Sequence, residues 1–250
     1  MISIADEVVL LSAGVLAGMV GTAGGITSLV SYPALLAVGV PALAANVANI
    51  VAFVGCWPGS ALASRLELEG RGHWLIRWAP LSAAGGAAGA ALLLSTPAGV
   101  FARVVPFLVA AGSLALLLQP YLAARRNRRA HSGLILSVGL LAMSVYNGYF
   151  GAGAGVMVLA LLLVTVEGHL ARANALKNML VGGASVVSAV AFAAFAPVDW
   201  SAVAPLGVGM FAGSTLGPRV ARRLPPRLLR LLVALLGIGL AIQLWVHANS

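Results

Sequence analysis

The sequence predicts an all-α polytopic membrane protein folded as two inverted repeats of about five helical segments each, the first two of each repeat forming a Gly-broken hairpin or helix pair. Three observations predict it. Of 250 residues, 61% are hydrophobic and 8% charged, with mean hydropathy +1.02, which leaves too little polar surface to cover a soluble globule. A glycine-broken apolar segment occurs twice, as Gly18-Met19-Val20-Gly21-Thr22-Ala23-Gly24-Gly25-Ile26 and as Gly148-Tyr149-Phe150-Gly151-Ala152-Gly153-Ala154-Gly155-Val156. Non-helical backbone is tolerated in a bilayer only where protein or a watery cavity satisfies it, so paired breaks in two halves point to a central path. The third observation is where the cations fall.

Apolar runs occupy 8–38, 41–63, 74–95, 98–122, 133–166, 173–197, 200–218 and 228–247. The first and fifth exceed one ordinary span at about 1.5 Å per residue, and each carries a glycine break near its middle, so each is read as two helices. Pro33 and Pro41 punctuate the end of the first unit, and Glu167-Gly168-His169 ends the second. Residues 125–132 form an Arg-rich cytoplasmic linker between membrane repeat 1 (1–124) and membrane repeat 2 (133–250).

If every long run crossed once, Arg65, Arg71, Arg77 and Arg125–Arg129 would face one side of the membrane. Arg172, Lys177, Arg219, Arg222, Arg223, Arg227 and Arg230 would then face the other, against the tendency of cytoplasmic loops to collect cations. Letting the two broken runs return to the side they entered puts all of these on one face and leaves only Arg103 opposite. Asp6, Glu7 and Asp199 then join the external face with both termini, and the second repeat is inverted relative to the first. Orientation also accounts for the pI near 11.3 better than a nucleic-acid partner does. No cationic segment precedes the first apolar run, which argues against a cleaved secretory signal. The single cysteine, Cys56, excludes an intramolecular disulfide and a thiolate metal cluster.

Gly209, Gly213 and Gly217, Gly85 and Gly89, and Gly14 and Gly18 recur every four residues and predict close helix approach rather than chemistry. Trp74, Trp78, Trp200 and Trp245 lie near span ends and read as interfacial anchors.

Helices beginning near Gly25 and Ala154 would aim unpaired N–H groups and positive dipole ends at the middle of the protein, which suits an anion. The substrate-binding residues expected there are Thr22, Gly24, Gly25 and Thr27 in the first copy and Tyr146, Asn147, Gly153 and Gly155 in the second, with Ser28 and Tyr149 as further donors. Asn46, Asn49, Asn174 and Asn178 open the helices that follow, either bonding between helices or lining a polar path. Lys177, the only lysine, either snorkels to the interface or serves the site.

The Gly148–Gly155 segment, Ala173-Asn174-Ala175-Leu176-Lys177-Asn178, and Gly21-Thr22-Ala23-Gly24-Gly25 with Pro33 downstream resemble the sulfite exporter TauE/SafE family, also called the toluene-sulfonate uptake permeases. The likeness covers both halves. It implies a bacterial inner-membrane carrier of sulfite, thiosulfate or organosulfonates, often outward. Ala23 and Ala154 interrupt what is a denser glycine cluster in the family, and Asn46 stands where a small hydroxyl residue is common.

The expected mechanism is alternating access around a midplane oxyanion site. All six carboxylates, Asp6, Glu7, Glu67, Glu69, Glu167 and Asp199, fall in or beside loops, so none is expected to relay protons centrally. A proton would then travel on the substrate or His169, or the membrane potential would drive export. Scattered His73, His131, His169 and His247 give no catalytic or metal-ligand spacing, so neither an enzyme nor a cofactor is expected. The same broken helices also fit a channel for a small anion or solute, or a permease for a non-sulfur organic anion. The expected partners are the bilayer and the substrate anion, with a homodimer as an option.

Overall fold

A computed structural model describes residues 3–124, 133–221 and isolated positions between 235 and 246. The expected linker 125–132, the cations Arg222, Arg223, Arg227 and Arg230, and most of the run 228–247 lie outside the described residues. Every regular element among the described residues is a helix: α1 (Ile4–Gly24), α2 (Ser28–Ala37), α3 (Ala42–Phe53), α4 (Cys56–Ala63), α5 (Arg65–Leu68), α6 (Gly72–Leu94), α7 (Ala98–Ala124), α8 (Gly133–Tyr149), α9 (Ala154–Thr165), α10 (Leu170–Phe195) and α11 (Trp200–Ala221). Among the described residues, four stretches are long and apolar enough to cross a membrane: Ile4–Gly24, Ala42–Ala63, Ala98–Ala115 and Leu170–Phe195.

Local chemistry sets the element ends. Ser3 and Asp6 form a reciprocal capping box that satisfies first-turn amides of α1. At its other end α1 stops on Gly25, whose φ of 80° closes the last turn through a bond from its N–H to the Gly21 carbonyl. Pro33, expected at the end of a unit, lies inside α2, which continues to Ala37; Pro41 caps α3. With 10 and 12 residues, α2 and α9 extend only about 15 and 18 Å, half of a hydrocarbon core.

The run 41–63 differs from the sequence expectation by breaking at Val54-Gly55 into α3 and α4. A Cβ at Gly55 would meet the Gly207 carbonyl of α11, so the chain turns where only glycine admits the neighbouring backbone.

Glycine stripes set the main contacts. α1 lies along α11, with Gly14 and Gly18 against the Leu206–Met210 backbone and Gly209 and Gly213 against the Leu11 and Val15 carbonyls. α6 lies along α8 in the same manner, Gly85 and Gly89 abutting Ser144 and Val145. Such close approach maximises dispersion where lipid supplies no hydrophobic drive. Ser82 of α6 adds hydrogen bonds with Ser144 of α8 and the Leu180 carbonyl of α10, at 2.9 and 3.0 Å. Arg71, before α6, pairs with Glu167, before α10, so these two loops share one end of the bundle.

Candidate functional site

The two glycine breaks touch. A Cβ on Gly25 would lie 2.5 Å from the Gly155 carbonyl carbon, and one on Gly155 would lie 2.7 Å from the Gly25 Cα. Only the absence of both side chains lets the α1–α2 turn rest on the first turn of α9. Gly151 and Gly153 take φ of 81° and 76° to turn the chain from α8 into α9, and Gly153 packs on Gly112 of α7. Tyr32 of α2 meets Phe150 edge-on at 5.3 Å, which joins the two breaks a second time.

Beside this contact lies a small cavity. Gly21, Thr22, Gly25, Thr27 and Ser28 from the first break face Asn147, Gly151 and Gly155 from the second. α10 contributes Lys177, Asn178, Val181 and Ser185, and α3 and α4 contribute a more apolar side with Phe53 and Trp57. Val181 sits near the midpoint of α10, so the cavity lies at the middle of a helix about 39 Å long.

Lys177 is 2% exposed, so it does not snorkel; its Nζ donates to the Gly21 carbonyl at 3.2 Å. That carbonyl ends α1, a helix with no basic residue in its own last turn, so a cation from α10 opposes its negative dipole end. Asn174 and Asn178 donate to the next carbonyl, that of Thr22, at 2.7 and 3.3 Å. Three donors of one helix therefore converge on the C-terminal end of another.

The amides of Thr27, Ser28 and Gly155, on the cavity wall, have no acceptor among the described residues. Thr22 donates its hydroxyl to the Gly18 carbonyl at 2.7 Å. Ser28 accepts from Asn49 at 3.0 Å and keeps its own proton available. Lys177 has two further protons for a guest. No carboxylate lines the cavity among the described residues, and Lys177 is the one basic side chain on its wall among them.

The expected site residues thus divide. Thr22, Gly25, Thr27, Asn147, Gly155, Lys177 and Asn178 share the cavity wall. Gly24, Asn46, Asn49, Tyr146, Gly153 and Asn174 lie behind it. Asn49 bridges Ser28 and Ser31, its Oδ1 accepting from Ser31 at 2.5 Å; Asn46 donates to the Tyr149 carbonyl at 2.8 Å; and the Tyr146 hydroxyl reaches the Ala152 carbonyl at 2.7 Å. Gly24 faces open space. Sequence reasoning passed over Cys56, Trp57, Ser60 and Ser185. Helical spacing held a signal for them: Ser185 is two turns beyond Lys177 through Val181, and Phe53, Trp57 and Ser60 follow one another at four and three residues.

The family model described as sulfite exporter TauE/SafE matches residues 8–244. A probable membrane transporter protein, ORF9, of Sinorhizobium sp. is 29% identical over 94% of this chain and 90% of its own length. A probable membrane transporter protein of Haemophilus influenzae is 26% identical over 96% of each chain, and the probable membrane transporter protein YfcA of Escherichia coli is 27% identical over 97% of this chain and 90% of its own. No solved structure matches the chain. With glycine breaks, buried lysine and family match all falling within one span of sequence, the chain belongs to the sulfite exporter TauE/SafE family of membrane transporters.

Proposed function

We propose that the protein carries a small sulfur-containing oxyanion (sulfite, thiosulfate or an organosulfonate) across the bacterial inner membrane by alternating access around the cavity between the two breaks. One observation carries the reading: Lys177 and first-turn amides of α2 and α9 that have no acceptor among the described residues line a single cavity, in which no described carboxylate stands. An oxyanion there accepts from the amides of Thr27, Ser28 and Gly155, from the hydroxyls of Thr27 and Ser28, and from the Lys177 ammonium, in place of water. The family name supplies the sulfur chemistry.

Two features support inverted repeats. Matching the breaks pairs α1 with α8 and α6 with α11, and the two most extensive helix contacts, α1 with α11 and α6 with α8, exchange under that pairing. Direction follows from the Arg71–Glu167 pair, which puts the starts of α6 and α10 at one end. α10 then crosses about 39 Å before α11 starts, so α6 and its counterpart α11 run oppositely. Arg71 and the cations in the first two turns of α5, α6 and α10 (Arg65, Arg77 and Arg172) then take the cytoplasmic side and the termini the external side.

Ligand-induced stabilisation of the purified protein tests the function. Sulfite, thiosulfate or a small sulfonate raises the unfolding temperature in a saturable manner that Lys177→Gln abolishes. Stabilisation by none of them, or equal stabilisation of the variant, contradicts it.

A further inference from the structure

An anion site between two broken helices has an internal conflict. The same turns that free amide groups at the starts of α2 and α9 also free carbonyl groups at the end of α1, and those oxygens carry the negative end of its dipole. Gly21 and Thr22 stand on the cavity wall; the Gly21 carbonyl already accepts the Gly25 N–H, and the Thr22 carbonyl has no backbone donor among the described residues. Left bare, such oxygens would repel the charge that the amides attract.

We infer that Asn174, together with Asn178 and Lys177, is a positioning residue that masks these carbonyls, so that the cavity presents donors alone to the anion; the inference rests on the anion-transport reading. Asn174 is not on the cavity wall, whereas Thr22, whose carbonyl it bonds, is. The Asn174 amide is nevertheless turned wholly to the purpose: Nδ2 donates to the Thr22 carbonyl at 2.7 Å, and Oδ1 is buried with no partner among the described residues. Asn178 adds a second donor to the same oxygen, and Lys177 covers Gly21.

The other half contains an internal control. Asn46, fully buried where Asn174 is half-buried, likewise donates across the halves, to the Tyr149 carbonyl at 2.8 Å, and likewise leaves a buried Oδ1 unpartnered among the described residues. Tyr149, however, is not on the cavity wall. Side-chain donation is therefore heaviest at the cavity: Asn174 and Asn178 serve the Thr22 carbonyl, Lys177 adds to the Gly21 carbonyl, and one amide serves Tyr149.

Affinities of the full-length protein for sulfite, thiosulfate and methanesulfonate, measured by calorimetry alongside unfolding curves, test the inference. Asn174→Ala weakens the tightest-binding of the three at least about tenfold, Asn46→Ala changes it less than about twofold, and Asn174→Gln, which keeps the donor, restores most of the affinity. Asn174→Ser, too short to reach the carbonyl, takes the place of the alanine variant if that does not fold. Equal losses in the Asn174 and Asn46 variants, tracking their unfolding, mean a merely structural role and overturn the inference. Unchanged affinity in Asn174→Ala or Asn174→Ser overturns it as well. Failure of the wild-type protein to bind any of the three removes the anion reading itself, which distinguishes the two failures.

Discussion

Adjacent glycines at the first break respond oppositely to the same substitution. Gly25 holds φ of 80°, a conformation that costs an L-residue about 1–2 kcal/mol. Its Cβ would also lie 2.5 Å from the Gly155 carbonyl carbon and 2.7 Å from the Val156 nitrogen. Both obstacles are backbone, so no rotamer change relieves them, and overpacking adds about 1–3 kcal/mol. Gly25→Ala is therefore expected to destabilise by about 2–5 kcal/mol. Gly24, the last residue of α1, has no heavy atom within 4 Å of its Cβ position and no left-handed φ. Alanine there is neutral or stabilising by about 0.5 kcal/mol through lost backbone freedom in the unfolded chain. Reversible unfolding in mixed micelles, followed by tryptophan fluorescence, measures both. Gly155→Ala completes the cycle: one separation of the backbones admits both methyl groups, so the double variant costs less than the sum of the singles by about 1 kcal/mol. If Gly25→Ala falls within 1 kcal/mol of wild type, or Gly24→Ala is equally damaging, the two breaks do not meet as described.

Other expectations concern the frame around the cavity. Asn49→Ala leaves the Ser28 and Ser31 hydroxyls without their buried partner and lowers stability by about 2–3 kcal/mol in the same unfolding assay. Gly18→Leu drives a side chain into the Met210–Ser214 backbone and costs about 3 kcal/mol or more, read as loss of folded protein in detergent. Arg71→Ala leaves Glu167, 10% exposed, without its cation and costs about 1–2 kcal/mol; the exchange Arg71→Glu with Glu167→Arg recovers most of it.

Much of this arrangement was legible because glycine carries two distinct signals. At four-residue spacing, as in Gly14–Gly18 and Gly209–Gly213–Gly217, it marks close helix contact; clustered, as in Gly24-Gly25 and Gly151–Gly155, it marks left-handed turns. Helix partners were not legible, since nothing local in Gly85 or Gly209 specifies α8 or α1. The α3–α4 break escaped notice because Gly55 is a lone glycine in an apolar run, and its meaning lies in Gly207, far along the chain. The polar residues posed a harder problem. Tyr146 read as a substrate donor from residue type, and Asn46 and Asn174 as either interhelical bonds or a polar path; all three donor groups reach backbone carbonyls, which a sequence does not display. Lys177 left two readings open, and burial against the α1 terminus decides against the interfacial one.

Counterflow in proteoliposomes tests the central claim most directly. Vesicles loaded with unlabelled sulfite and diluted into labelled sulfite are expected to accumulate label transiently above equilibrium, with saturable dependence on external sulfite, and Lys177→Gln vesicles are expected to show no overshoot. Label entry that is linear in concentration and indifferent to internal sulfite, or an overshoot that survives Lys177→Gln, contradicts a carrier built around the cavity between the two breaks.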